Sequence, residues 1–243
     1  MIVTTQPECP RIMNAITDNL QAIRQMILEN AQFFGKHDTP ICLVAVSKTR
    51  SRDEVMIAAL AGQRDFGENY AQEGVGKILA LREKFADTPL VWHFIGPLQS
   101  NKTRLVAENF DWAHSISRAK IAERLAGQRP CHLPPLQVLV EVNVSGEASK
   151  SGCAPEEVLP LCKLVMTLPR LTLRGLMCIP EPVADFAAQR RPFACLRALW
   201  EELRRAGLPL DTLSMGMSDD FPAAIAEGSN MVRIGTAIFG ART

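Results

Sequence analysis

Lys48 is the residue of this sequence whose type and position most clearly indicate chemistry. It comes just after the apolar run Leu43-Val-Ala-Val46, which is typical of a buried parallel strand. The carboxyl ends of parallel strands carry the functional groups of α/β folds. Burial lowers the pKa of an amine and leaves it more nucleophilic, as formation of a Schiff base requires. The alternative interpretation is a strand-end lysine whose ammonium group reaches solvent.

Two later segments contain the parts of a phosphate site. Ser214-Met-Gly-Met-Ser218 supplies two hydroxyl groups and a helix start, and Arg233-Ile-Gly-Thr236 supplies a glycine that exposes backbone N–H groups. Barrels of alternating strands and helices commonly bind phosphate after their seventh and eighth strands. As isolated motifs, both segments are also ordinary turns. Their positions predict a phosphate site formed by Ser214, Ser218, Gly235 and Thr236.

A strand-end lysine that faces a phosphate site suggests a ligand with both a carbonyl and a phosphate group. Pyridoxal 5′-phosphate fits, with its aldehyde on Lys48 and its phosphate on the two later segments. Arg233 would then lie near the pyridine nitrogen. Because an arginine keeps its proton, it would leave that nitrogen unprotonated. The ring would therefore be a weaker electron sink than it is beside an aspartate.

The elements that position these residues follow from alternating apolar patterns. Eight predicted strands alternate with helical patterns, and an additional amphipathic helix over residues 11–34 precedes them. Such alternation demands a parallel sheet. Eight units in 243 residues fit an α/β fold, namely a closed (β/α)8 TIM-type barrel. We expect this barrel to form one domain over residues 1–243. An open doubly wound sheet usually has fewer strands at this length. The predicted strands are Ile41–Ser47, Arg64–Gly67, Leu90–Ile95, Trp112–Ile116, Leu136–Val144, Leu171–Ile179, Thr212–Ser214 and Met231–Ile234.

The carboxyl ends of these strands are expected to converge on one face of the barrel. His93 is more often a hydrogen-bonded core histidine than a ligand, and Tyr70 is expected to pack in the helix after the second strand. Ser51 and Glu54 have the spacing of a capping box at the start of the first crossover helix. The residues expected at the barrel mouth are Lys48, Glu68, Asn69, His93, Ser115, Glu141, Asn143, Met177, Ser214 and Arg233.

Composition and charge exclude several classes of function. A net charge of +1 gives no electrostatic footprint for nucleic acid or an anionic membrane, and the apolar runs are far shorter than a membrane span. The seven cysteines are scattered and the four histidines lack the spacing of metal ligands. We therefore expect reduced thiols, no metal site and a cytoplasmic protein. The predicted helices show no extra apolar stripe, so we expect a monomer.

Several segments in a fixed order span nearly the whole sequence. They are Ala45-Val-Ser-Lys-Thr49, Phe66-Gly-Glu-Asn-Tyr70, Trp92-His-Phe-Ile-Gly96, Leu98-Gln-Ser-Asn-Lys102, Lys150-Ser-Gly152, Ser214-Met-Gly-Met-Ser218 and Val232-Arg-Ile-Gly-Thr-Ala-Ile-Phe-Gly240. Together they resemble the pyridoxal-phosphate homeostasis proteins, a family related to the N-terminal barrel of alanine racemase.

The resemblance implies a cytoplasmic protein that binds and buffers pyridoxal phosphate and hands it to apo-enzymes, without an established reaction of its own. It implies Lys48 as the Schiff-base lysine and Arg233 as the residue that faces the pyridine nitrogen. Asn69 belongs to the same cofactor-binding set. The residues implied around the phosphate are Ser214, Ser218, Gly235 and Thr236.

Two classes of enzyme are the alternatives. A racemase-like pyridoxal-phosphate enzyme needs an acid/base on each face of the cofactor, and racemases of this barrel type take the second from a tyrosine of another domain, which is expected to be missing here. A phosphosugar aldolase would explain Lys48 and the phosphate segments but would give Arg233 no role. Lys150, in a glycine-rich loop, is a candidate for a second aldehyde-reactive amine.

Overall fold

Eight parallel strands close into a barrel in the order of the sequence, and the last strand pairs with the first. The computed structural model describes residues 8–36, 40–146 and 151–241. The predicted α/β barrel is therefore confirmed. The strands are β1 Cys42–Val46, β2 Asp65–Glu68, β3 Val91–Phe94, β4 Trp112–Ile116, β5 Leu136–Glu141, β6 Leu171–Met177, β7 Thr212–Ser214 and β8 Met231–Ile234.

Helices alternate with the strands and form the outer ring, and the additional N-terminal helix packs beside the first of them and the last two. None of the helices in the described ranges combines the length and the apolar character that crossing a membrane requires. The helices are α1 Glu8–Phe33, α2 Arg52–Leu60, α3 Ala71–Arg82, α4 Thr103–Asn109, α5 Ala119–Gln128, α6 Pro155–Thr167, α7 Phe186–Arg205, α8 Phe221–Ala226 and α9 Thr236–Phe239.

Local side-chain bonds set where two of these helices begin. At α2 the predicted capping box is present, because Ser51 Oγ accepts the Glu54 N–H at 3.2 Å and Glu54 Oε2 accepts the Ser51 N–H at 2.8 Å. At α8 the predicted start at Ser218 is wrong. Asp220 Oδ1 accepts the Met217 N–H at 2.6 Å and closes a turn there, so the helix starts at Phe221.

Strand alternation divides the side chains between two layers. In β1, Ala45 belongs to the apolar core between the barrel and the helices. Val44 and Val46 have the opposite direction: Val44 lies against Gly67 of β2 and Val46 against the glycine that follows β8. The same alternation directs the side chain of Lys48 towards the barrel axis and that of Ser47 towards the helical ring.

Candidate functional site

A cavity of about 500 Å³ opens at the carboxyl ends of the strands. Its wall combines the ends of β1, β2 and β8 with the segment after β7, as expected for a barrel of this type. Of the seven residues predicted to bind a cofactor, six line this cavity together: Lys48, Asn69, Ser218, Arg233, Gly235 and Thr236. Ser214 is not on the wall.

Lys48 reaches the cavity because of the strand that precedes it and the turn that follows. Its neighbour Thr49 has φ of 63°, in the left-handed region that a β-branched residue rarely adopts. Such a conformation persists only where surrounding contacts determine it. One such contact is a turn hydrogen bond, in which the Arg50 N–H donates to the Ser47 carbonyl oxygen at 3.0 Å. Others come from a group of residues around a second lysine.

Lys77 of α3 is buried behind β1, where its ammonium group has three acceptors. Its Nζ donates to the Ser47 carbonyl oxygen at 2.6 Å, to Glu68 Oε1 at 2.7 Å and to Glu73 Oε1 at 2.6 Å. Glu68 Oε1 also accepts the Ser47 hydroxyl at 2.6 Å, and Glu73 Oε1 accepts the Thr49 N–H at 2.6 Å. We call Lys77, Glu68, Glu73 and Ser47 the lysine cluster.

Burial dominates the electrostatics of the lysine cluster. It raises the pKa of Glu68, while the charge of Lys77 and the hydrogen bonds from Lys77 and Ser47 act in the opposite direction. Glu68 Oε2 is buried and has no hydrogen-bond partner among the described residues. Lys77 is therefore the cation that makes this buried carboxylate tolerable.

Arg233 of β8 is buried, and its guanidinium group is held at two points. NH1 donates to Ser214 Oγ at 2.7 Å and NH2 donates to the Cys178 carbonyl oxygen at 2.9 Å. Ser214 was predicted near a phosphate, but it is fully buried as the last residue of β7. Its side chain faces the barrel axis rather than the loop that follows, so its hydroxyl group positions Arg233.

A chain of hydrogen bonds continues from Ser214 along the barrel interior. Ser214 Oγ lies 3.1 Å from His114 Nδ1, His114 Nε2 lies 2.9 Å from His93 Nδ1, and His93 Nε2 lies 3.0 Å from Asp65 Oδ1. We call Asp65, His93, His114 and Ser214 the histidine chain. The expectation that His93 is a hydrogen-bonded core residue is confirmed.

The ends of the histidine chain determine its direction of donation. Burial, with the nearby charges of His93 and Arg233, lowers the pKa of His114 well below its usual value, so this ring is neutral. The following arrangement then satisfies every atom of the histidine chain. Arg233 donates to Ser214, whose hydroxyl group donates to His114 Nδ1; each ring then donates from Nε2, the last bond ending on Asp65.

The opposite wall provides small and hydroxyl-bearing groups. A Cβ atom added to Gly235 would lie 3.1 Å from the Val46 carbonyl oxygen and 3.3 Å from Val46 Cβ, so β8 and β1 approach closely there. Ser218 and Thr236 line the cavity on either side, beside the acidic Asp219. Asn69 Oδ1 is buried without a hydrogen-bond partner among the described residues. An unsatisfied acceptor of this kind fits a site that is completed by a ligand.

Like Asp220, Glu141 at the end of β5 is a carboxyl group whose charge acts on Arg233. Burial raises the pKa of Glu141 to about 7, although the charge of Arg233 acts to lower it. Glu141 therefore changes charge near neutral pH. Lys150, the candidate for a second aldehyde-reactive amine, lies outside the described residues.

Other residues expected at the mouth have different surroundings. Ser115 donates to the Gly96 carbonyl oxygen at 2.6 Å, and Met177 is fully buried. Tyr70 precedes α3, is 56% exposed and does not line the cavity, so the expectation that it packs in the helix is wrong. Within the described ranges, no group of three or more His, Cys, Asp or Glu side chains is arranged to hold a metal ion.

Sequence analysis missed Lys77 and the role of His114. For Lys77 a signal exists: it lies on the buried face of α3 with Gly74, Ile78 and Leu81, where an apolar residue is expected. A lysine within an apolar stripe needs a buried anionic partner. For His114, alternation within β4 predicts an interior position but does not identify its partners.

Comparisons with known proteins agree with this geometry. The family "Alanine racemase, N-terminal domain" matches residues 13–243. The "Pyridoxal phosphate homeostasis protein" of Pseudomonas aeruginosa is 57% identical over 230 residues, covering 95% of this chain and 97% of that protein. The structure of PipY from Synechococcus elongatus with PLP bound has a TM-score of 0.77 and 33% identity, and covers 93% of this chain and 100% of that one.

The barrel is also shared with an enzyme. Alanine racemase from Corynebacterium glutamicum has a TM-score of 0.66 at 18% identity; the match covers 95% of this chain and 62% of the racemase. At that identity the likeness concerns the fold alone. The family match and the identity to curated relatives lead to one conclusion: this chain belongs to the alanine racemase N-terminal domain family and, within it, to the pyridoxal phosphate homeostasis proteins.

Proposed function

We propose that this chain binds pyridoxal 5′-phosphate in the cavity through Lys48 and takes part in intracellular homeostasis of the cofactor. The observation that carries the proposal is the convergence of Lys48, Arg233 and the Gly235-Thr236 segment on one cavity from opposite ends of the sequence. When bound, pyridoxal 5′-phosphate supplies an aldehyde that condenses with an amine with loss of water. In this proposal the protein is a cytoplasmic monomer.

Each wall of the cavity has a part in holding the cofactor. Lys48 supplies the amine, and Arg233, fixed by Ser214 and the Cys178 carbonyl group, supplies a permanent cation for the ring nitrogen. Ser218, Gly235 and Thr236 supply hydroxyl and backbone N–H groups for the phosphate. Asn69 offers its amide group to the ring substituents. Asp219 lies at the solvent side, where its charge is screened.

We further propose that the chain buffers the cofactor and delivers it to apo-enzymes, rather than catalysing a reaction of its own. Racemisation needs an acid/base on each face of the cofactor, and Lys48 can serve one. The sequence has a single tyrosine, Tyr70, which is exposed and outside the cavity. Among the described residues, the cavity therefore has the groups that bind a cofactor and no tyrosine that could act as the second base of a racemase.

The experiment is an absorbance spectrum of the protein with added pyridoxal 5′-phosphate, before and after borohydride, for the wild type, Lys48→Ala and Lys84→Ala. Lys84 lies on the exposed side of the segment after α3 and is the matched control. We expect a visible band in the wild type and in Lys84→Ala that borohydride bleaches, with a pyridoxyl group on Lys48 by mass spectrometry. In Lys48→Ala the band is lost or shifted.

Two further measurements decide between the alternatives. Racemase and transaminase assays of the loaded protein are expected to show no turnover, and turnover would favour an enzyme. A wild type that stays colourless with the cofactor would favour the phosphosugar aldolase. Lys150→Ala tests the second amine, because unchanged binding and release of the cofactor would remove Lys150 from the site.

A further inference from the structure

We infer that Lys77, together with Glu73, is a positioning residue for Lys48. The inference rests on the proposed function, because its consequence is seen in the bond between Lys48 and the cofactor. Neither residue lines the cavity, so neither touches the cofactor. They act on the backbone on both sides of Lys48.

The lysine cluster holds both peptide groups that flank Lys48. Lys77 Nζ donates at 2.6 Å to the Ser47 carbonyl oxygen, which belongs to the peptide before Lys48. Glu73 Oε1 accepts at 2.6 Å from the Thr49 N–H, which belongs to the peptide after Lys48. Lys77 also donates to that same Glu73 oxygen at 2.6 Å. The two peptide groups are therefore tied to each other through one ammonium group and one carboxylate oxygen.

These hydrogen bonds to the two peptide groups help to hold the unfavourable backbone conformation after Lys48. Thr49, with φ of 63°, lies in a turn that the Arg50 N–H closes by donating to the Ser47 carbonyl oxygen at 3.0 Å. Once the Glu73 bond to the Thr49 N–H is lost, only this turn opposes relaxation of Thr49 towards the β region. That relaxation would rotate the peptide group after Lys48 and change the direction in which the lysine side chain leaves the backbone. Because a covalent bond requires the amine within a narrow range of positions, a shift of this kind weakens the bond without altering the rest of the cavity.

The cluster is also rigid. All three N–H groups of Lys77 are used, and its side chain is 5% exposed. Glu68, fully buried at the end of β2, fixes the ammonium group from a neighbouring strand and holds the Ser47 hydroxyl as well. The position of Lys48 is therefore fixed by two other elements, β2 and α3.

The test compares two ligands. Pyridoxal 5′-phosphate can bond to Lys48, whereas pyridoxine 5′-phosphate carries an alcohol in place of the aldehyde and binds only through its ring and phosphate. Glu73→Ala removes the acceptor for the Thr49 N–H, and Glu73→Gln keeps an oxygen there. Glu73 is partly exposed, so both variants are expected to fold. Lys77→Met removes the ammonium group, and Lys84→Met is its control.

We expect Glu73→Ala and Lys77→Met to weaken binding of pyridoxal 5′-phosphate on the order of tenfold to a hundredfold. Binding of pyridoxine 5′-phosphate stays as in the wild type, and Glu73→Gln and Lys84→Met resemble the wild type with both ligands. Equal weakening for both ligands in Glu73→Ala, or no weakening for either, would overturn the inference. A wild type that binds neither ligand would instead overturn the proposed function, and the inference with it.

Discussion

The two cations of the cavity are supported by buried polar networks of different kinds. Behind Lys48, the lysine cluster brings two carboxylate oxygens within 2.7 Å of one ammonium group and holds main-chain groups. Behind Arg233, the histidine chain links two imidazole rings and a hydroxyl group in a line and holds a side chain. One network is compact and ionic; the other is extended and, next to Arg233, neutral.

The difference follows from what each cation must do. In the proposed function Lys48 donates an electron pair to an aldehyde, so its position matters more than its charge, and its position is best controlled through the backbone. In the same proposal Arg233 supplies a permanent charge, so its guanidinium group must be fixed in direction. Its hydrogen bonds go to neutral atoms, although the carboxyl groups of Asp220 and Glu141 lie near enough to act on its charge. The two neutral acceptors are Ser214 Oγ and the Cys178 carbonyl oxygen.

The largest expected effect comes from removing the cation of the ionic network. Lys77→Met leaves the buried Glu68 carboxylate without its partner, and we expect the free energy of unfolding to fall by about 3–5 kcal/mol at neutral pH. Without Lys77 the pKa of Glu68 in the folded state rises further. The loss of stability therefore grows as pH rises and shrinks as pH falls. Urea denaturation at several pH values measures it.

The exposed Lys84→Met is the control for this first prediction. A loss no larger than that of the control would show that the cluster is not ionic in solution, and the comparison of the two networks would fail.

A second effect tests how neutral the region around Arg233 is. Burial raises the pKa of Glu141 to about 7 from its ordinary 4.5, so the folded state favours the protonated carboxyl group. That contribution is complete below pH 4.5 and is lost as pH rises through 7. Glu141→Gln cannot ionise, and by pH 8 we expect it to exceed the wild type in stability by about 3 kcal/mol. Denaturant midpoints between pH 5 and 8 give the difference.

The control for Glu141 is Glu123→Gln on the exposed face of α5. A difference between Glu141→Gln and the wild type that does not change with pH would contradict the assigned pKa. It would also mean that Arg233 faces a carboxylate over the whole range.

The smallest effect concerns the neutral network. His114→Phe leaves the Ser214 hydroxyl group and His93 Nδ1 without their partner, and we expect a loss of about 1–3 kcal/mol of stability. A double-mutant cycle with Ser214→Ala measures the coupling of the two residues, and the exposed His132→Phe is the control. In the wild type, nitrogen NMR is expected to show protons on Nε2 of both His93 and His114. A proton on Nδ1 of His114 would reverse the direction assigned to the chain.

Much of the fold could be predicted because apolar runs mark strands directly. The bounds predicted for β4, β7 and β8 match the structure, and the other strands differ mainly at their ends. The clearest error is β5, predicted to reach Val144 but ending at Glu141. There the backbone pairs with the distant Cys153 instead: Asn143 N donates to the Cys153 carbonyl oxygen at 2.9 Å. Sequence patterns do not reveal a partner so far away.

In the candidate site, too, some residues could be predicted from the sequence and others could not. Lys48 and Arg233 could be predicted because they lie at the carboxyl ends of strands, where barrels of this type place their functional groups. Ser214 was correctly predicted as the last residue of β7, but it was assigned to the phosphate site, whereas its side chain turns inwards and binds Arg233. Lys77 and Glu73 lie on α3 and contact the residues on either side of Lys48. The position of Lys77 in an apolar helix face signals a buried role, but only the packing of the helix on the barrel reveals its partners.

The pairing of β8 with β1 has a consequence for biosynthesis. On the ribosome β1 is made first and β8 last, so the growing chain carries Lys48 long before Arg233, Gly235 and Thr236 can meet it. A ligand that contacts both strands binds only a barrel in which β8 has paired with β1. Because a ligand stabilises only the state that it binds, the supply of pyridoxal 5′-phosphate would influence how much of the newly made protein survives proteolysis.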